Sequence, residues 1–309
     1  MNRHIATRDI YNKTASGILV PAGSTTDAHS VSKTSIAATK LDGLEMLKIF
    51  RTKGLDPSRS ASLTALIEHT SQLSDALLTA QDDQTSYAQL FSALQLRRLI
   101  EAVDAVANEP ASPRLLSELL DGTLDLLIRT RSKAKDTLWE IELLCTLRTN
   151  GVATEIGEPD LLLAASSDQV GVACKKIYSA THFSKTLSVA VKQIQRSLKL
   201  GIVAINIDDL MPADSILKAP SEDMAANILN ARVSEFMVEQ ERHLRRYIEP
   251  GRAIAVLVSC AALTDLEKRK PQFCNFRHTV VWHIPSISKQ IDAQFGAILS
   301  AFKSGAAYA

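Results

Sequence analysis

The chain has 309 residues, of which 46% are hydrophobic and 22% charged, with a formal net charge of +1. That length supports a sizeable core and about two domains, the composition is that of an ordinary globular protein, and the charge excludes a polycation, so any nucleic-acid surface must be a local gathering of basic side chains. Cys145, Cys174, Cys260 and Cys274 form no CxxC pair, which excludes a zinc knuckle or redox motif, and their apolar or strand-like surroundings read as reduced thiols in a cytoplasmic protein.

Residues 1–38 are rich in Ser, Thr and Ala without sustained periodicity, and read as a loosely ordered, flexible arm. Residues 1–20 lack a continuous apolar run, so no secretory signal is expected. The apolar stretch from Ala253 to Leu263 is about half of the ~20 residues a membrane span needs, and reads as a buried strand. No membrane partner is expected.

From residue 39 to 130 the pattern is helical. Asp56-Pro57 and Ser112-Pro113 each resemble an N-cap followed by Pro at the first helical position. Leu63, Leu66, Ile67 and Leu77 form one apolar stripe, and Tyr87, Leu90, Phe91 and Leu94 another. Leu115, Leu116, Leu119 and Leu120 supply a further helix, which together suggests a small four-helix bundle serving packing or a protein partner.

At Arg131 helix and strand signals begin to alternate, which predicts an α/β layer architecture for residues 131–309. Asp136 to Arg148 is a predicted helix, Leu161 to Ala164 and Val170 to Ile177 strands, and Ser184 to Leu198 a helix. Gly201 to Ile207 (GIVAINI) is continuously apolar, as a strand covered on both faces should be. A long amphipathic helix over Ala225 to Ile248, strands over Ala253 to Cys260 and Thr279 to Ile284, and a closing helix over Ile291 to Phe302 complete the predicted order.

The chemistry concentrates between Trp139 and Arg196. Glu140 shares a helical stripe with Leu143, Leu144 and Leu147, where a carboxylate is costly without a partner. Asp160, after Glu158-Pro159, stands at the mouth of a buried strand. In Val172-Ala173-Cys174-Lys175-Lys176, alternation places Lys175 with Ala173 and Lys176 with Cys174, so one lysine turns inward and requires an anion. No acidic residue lies between Lys175 and Asp208, while Lys185, Lys192, Arg196 and Lys199 fall opposite the apolar face of the helix that follows. With Lys176 they make a local basic surface suited to a phosphate backbone, although a solvated helix face is an equal reading of those side chains alone. His182 reads as a surface histidine. His278 and His283 fall on opposite strand faces and make no metal pair.

The run of Glu140, Glu158-Pro159-Asp160, Val172-Ala173-Cys174-Lys175-Lys176 and a helix with Gln193 and Arg196 resembles the PD-(D/E)XK nuclease superfamily, whose restriction-endonuclease-like fold is a mixed sheet flanked by helices. The resemblance implies a metal-dependent phosphodiesterase acting on nucleic acid, DNA before RNA, with Mg²⁺ or Mn²⁺ held by Asp160, Glu140 and the Cys174 backbone carbonyl. It implies that Lys175 orients the attacking water or neutralises the phosphate, with Glu158 and Gln193 as accessory candidates, and it leaves a homodimer open. The chain departs from the family at Ala173, which stands where the second acid belongs. The alternatives are therefore a degenerate nuclease fold that binds nucleic acid or a protein without cutting, and a different α/β domain in which Glu140 and Lys175 are simply a buried ion pair.

Overall fold

The computed structural model describes residues 2–13, 19–30, 33–58, 61–78, 87–165, 168–197, 200–212, 215–268 and 273–283. Two antiparallel strands open the chain, β1 (Asn2–Lys13) and β2 (Leu19–Ser30). Four helices follow: α1 (Lys33–Thr52), α2 (Ser62–Leu78), α3 (Tyr87–Val106) and α4 (Ser112–Leu119). After a non-helical segment come α5 (Lys133–Thr149), β3 (Thr154–Ile156), β4 (Leu161–Ala165), β5 (Asp168–Lys176), α6 (Phe183–Ser197), β6 (Gly201–Asn206) and β7 (Leu217–Ala219). Then come α7 (Glu222–Ile248), β8 (Ala255–Leu266) and β9 (Phe273–Trp282).

The strands form a single mixed sheet in the order β1-β2-β9-β8-β6-β5-β4-β3, with β7 beside β8. Its centre is the parallel set β5, β6 and β8, and antiparallel strands extend both flanks. All of β6 is buried, as its unbroken apolar sequence predicts for a strand with parallel neighbours on either side.

Side chains alternate between two helical layers. Val172, Ile202, Leu257 and Val281 share one core with Phe50, Leu66, Leu99, Leu116 and Leu144 of the N-terminal helices and α5. Ala173, Val203, Val258 and Val280 face the second core with Leu187 and Ile194 of α6 and Leu229, Val233 and Phe236 of α7. The fold is thus an α/β sandwich, and the N-terminal helical region forms one of its outer layers. Gly201 lets β6 start hard against its neighbours: a Cβ there would stand 2.5 Å from Ile194 and 2.7 Å from the Gly171 carbonyl oxygen.

Local signals set the helix ends. Ser221 caps α7 by accepting from the Met224 N–H at 3.3 Å, with Glu222 and Asp223 in the first turn and Arg245 and Arg246 in the last, each sign complementing the helix dipole. Pro113 occupies the first turn of α4, but Ala111 is the N-cap and Ser112 lies inside. Asp56-Pro57 starts no helix; it lies in the link before α2.

Residues 1–38, expected as a flexible arm, instead hold β1, β2 and the start of α1. The physical reason is that β9 presents a full row of backbone donors and acceptors, and a strand can satisfy them whatever its side-chain pattern. β2 does so from Ala22 opposite Trp282 to Ser30 opposite Cys274. The strand expected from Thr279 begins earlier, at Phe273. Ile284, Lys199 and the helix expected over Ile291 to Phe302 lie outside the described residues. Among the described residues, no helix is long and apolar enough to cross a membrane.

Candidate active site

Three elements bring the sequence-derived residues together. β4 pairs with β5 so that Leu161 opposes Val172, which sets Asp160, one residue before β4, beside Ala173 and Cys174. The turn ahead of β4 is closed by the Gly157 N–H donating to the Asp160 carbonyl at 3.2 Å. From the far side α6 contributes Gln193.

The Asp160 carboxylate is the hub. Its Oδ2 accepts from the Cys174 N–H at 2.7 Å and from Lys175 Nζ at 3.1 Å, and its Oδ1 accepts from Gln193 Nε2 at 2.9 Å. Gln193 Nε2 also donates to the Pro159 carbonyl. Lys175 Nζ donates in addition to the Cys174 carbonyl at 2.9 Å. The Lys175 and Asp160 side chains keep 21% and 17% of their surface exposed, so solvent reaches the pair.

Glu140 stands on α5 and is only 9% exposed. Burial pushes its carboxyl up to about 7, the negative charge of Asp160 pushes the same way, and Arg114, 3.7 Å distant, opposes them. Burial first, then the charges of Asp160 and Glu140, also hold the Cys174 thiol well above its usual value, so it stays protonated. Glu140 thus faces a second negative charge, an arrangement that a cation would relieve.

Among the described residues, no group of three His, Cys, Asp or Glu side chains is placed to hold a metal ion. Asp160, Glu140 and the Cys174 carbonyl are nevertheless oxygen donors of the kind Mg²⁺ takes, an ion that usually keeps several of its waters. Asp160 already uses three of its roughly four acceptor positions, so an incoming ion must compete with the Lys175 ammonium. Ala173 is fully buried in the core beneath α6, and Glu158 is exposed, with no hydrogen bond or ion pair to the centre among the described residues.

Lys185, Lys192 and Arg196 are exposed on α6, opposite buried Leu187, Val191 and Ile194. Lys176, expected on the same basic surface, is not there: its side chain is 2% exposed. Alternation turns it to the opposite face from Lys175, and that face is buried too. It forms ion pairs with Asp209 at 2.7 Å and Asp208 at 3.8 Å, and donates to Asn206 at 2.8 Å.

Lys176 belongs to a buried polar network that sequence reasoning missed. Lys176, Asn206, Ser259 and Thr279 stand side by side across β5, β6, β8 and β9. Arg277 bonds Asp208 at 2.9 Å, Ser259 at 2.9 Å and Glu142 at 3.1 Å, and stacks over Trp139 at 5.2 Å. Glu142 also takes Arg98 at 2.6 Å, and Lys135 reaches Asp209 at 2.9 Å. Burial alone would raise the Asp208 carboxyl, but Arg277, Lys176 and Arg98 outweigh it and hold it far below the usual range. The available signal was Asp208-Asp209 immediately after an all-buried strand, a position from which acids can fold back over the sheet end.

The sequence matches no family model, and no curated protein or solved structure matches it.

Proposed function

We propose that the chain is a metal-dependent phosphodiesterase of the PD-(D/E)XK type, cutting nucleic acid, DNA before RNA, at the Glu140–Asp160–Lys175 centre. The observation that carries this reading is the convergence on one carboxylate, Asp160, of groups from β5 and α6, with Glu140 of α5 in electrostatic reach. Asp160, Glu140 and the Cys174 carbonyl would hold Mg²⁺ or Mn²⁺, which when bound supplies an acidified water and charge compensation at phosphorus. Lys175, displaced from Asp160, turns its ammonium to the phosphate or to the attacking water. Gln193 keeps Asp160 oriented. Lys185, Lys192 and Arg196 receive the phosphate backbone along the outer face of α6. The four cysteines form no disulfide among the described residues, which fits a reducing, cytoplasmic setting.

A second reading, a degenerate fold that binds nucleic acid without cutting it, is favoured by Ala173, whose burial leaves no room for the missing acid. The test is cleavage of plasmid, single-stranded DNA and RNA in Mg²⁺, Mn²⁺ or EDTA by wild type, Asp160→Ala and Lys175→Ala. Metal-dependent cutting lost in both variants supports the nuclease. Salt-sensitive DNA binding without cutting by the folded protein sinks it and leaves the binder.

A further inference from the structure

The reading above leaves unused a cavity of about 260 Å³ enclosed by α3, the segment 124–129, the residues after β6 and the second half of β8. Its walls are apolar, with Phe91, Leu126, Met211, Ile216 and Leu263, and its polar lining includes Arg98, Arg129, Asp208 and Asn275. The volume is just under the ~300 Å³ at which sites for drug-sized ligands begin. It lies at the carboxyl ends of the parallel strands β6 and β8, where open α/β sheets bind ligands.

Charge selects among small molecules. Ion pairs tie four cations, Arg98, Arg277, Lys135 and Lys176, to only three carboxylates, Glu142, Asp208 and Asp209. Arg129 adds another cation whose guanidinium donates to the Asp208 carbonyl at 2.9 Å and the Pro212 carbonyl at 3.3 Å, with no carboxylate on it among the described residues. Of the charged side chains that line the cavity itself, Arg98 and Arg129 are cationic and Asp208 is anionic, a positive surplus. In a low-dielectric setting such a surplus favours an anion, and the guanidinium fork suits carboxylate geometry.

We propose that this cavity binds a small organic anion with a short apolar body, its carboxylate toward Arg129 and Arg98 and its body between Phe91, Leu126, Met211, Ile216 and Leu263. The site is separate from the Asp160 centre, and the proposal stands or falls independently of nuclease activity.

The test is calorimetric titration of the full chain with hexanoate and phenylacetate, with hexanol as the neutral analogue and acetate as the headgroup alone. Expected is saturable one-to-one binding of at least one of the two acids, with hexanol and acetate at least tenfold weaker. Arg129→Met, at a half-exposed position, removes the charge, and Ala261→Leu fills the cavity floor; each should weaken binding tenfold or more. Thermal unfolding checks that both variants fold, and the comparison of hexanoate with hexanol needs no variant. Failure of folded wild type to bind either acid, equal binding of hexanol, or undiminished binding in both folded variants overturns the proposal.

Discussion

Lys175 and Lys176 are neighbours on β5, yet they belong to two regions with opposite physics. Lys175 meets Asp160 at a partly exposed edge, where water competes for both charges. Lys176 meets Asp208 and Asp209 where almost no surface remains. The Lys175–Asp160 pair keeps 21% and 17% of its side-chain surface exposed, so solvent screens it more than the buried pair and it should contribute less to stability. Removing one partner from a buried pair leaves an uncompensated charge and costs about 3–5 kcal/mol. The buried network is therefore a structural clamp joining α3 and α5 to the sheet, and the two regions should separate cleanly under mutation.

The largest effect is expected from Asp209→Ala, which strands Lys135 and Lys176 in the interior. Urea denaturation should show a loss of about 3–5 kcal/mol, and a loss under 1 kcal/mol would show that the network is wet and the contrast false. Next comes the pH dependence of Glu140. Its folded carboxyl, at about 7, lies above its unfolded value of 4.5, so its contribution is fully present below pH 4.5 and is lost as pH rises through 7. At about 1.4 kcal/mol per unit, the change is on the order of 3 kcal/mol. In EDTA, Glu140→Gln should flatten that part of the stability–pH curve and be more stable than wild type above pH 7; an unchanged curve would place the titration elsewhere.

Asp160→Asn and Lys175→Met should each cost less stability than Asp209→Ala while abolishing metal-dependent cutting. A large stability loss without loss of cutting would move this pair into the structural class. The smallest stability effect belongs to Lys185, Lys192 and Arg196 changed together to Ala, within about 0.5 kcal/mol per site by chemical denaturation. The same triple variant should lower the salt dependence of DNA binding by roughly 0.9 per lost phosphate contact. An unaltered salt slope would show that DNA runs elsewhere.

The partly exposed centre was legible because each of its members follows a local rule. Glu140 falls on a helical stripe, Asp160 at the mouth of an apolar strand, Lys175 on a period-two face, and Gln193 on the helix that follows. The α/β class was legible for the same reason, through GIVAIN and the amphipathic α6 and α7. The network was not, because its partners come from α3, α5, β5, the turn after β6 and β9. Arg277 even lies in a part of β9 where no strand was expected. Alternation could separate Lys175 from Lys176 but could not show that both faces are covered. That required knowing that α1–α5 pack on the sheet. Residues 1–30 were unreadable because the pairing of β2 depends on an acceptor more than 240 residues away.

That pairing also bears on how the chain avoids sticking to itself. Without residues 1–32, β9 would display its outer backbone groups along a strand of 10 residues rich in Val, Phe and Trp. A bare strand of that length and character is a template on which a second molecule can nucleate a growing fibril. The opening hairpin moves the sheet's boundary to β1, whose sequence carries Arg3, Arg8, Asp9 and Lys13, residue types that discourage such recruitment. Its service to the molecule would be colloidal, visible in light scattering during refolding rather than in any assay of catalysis.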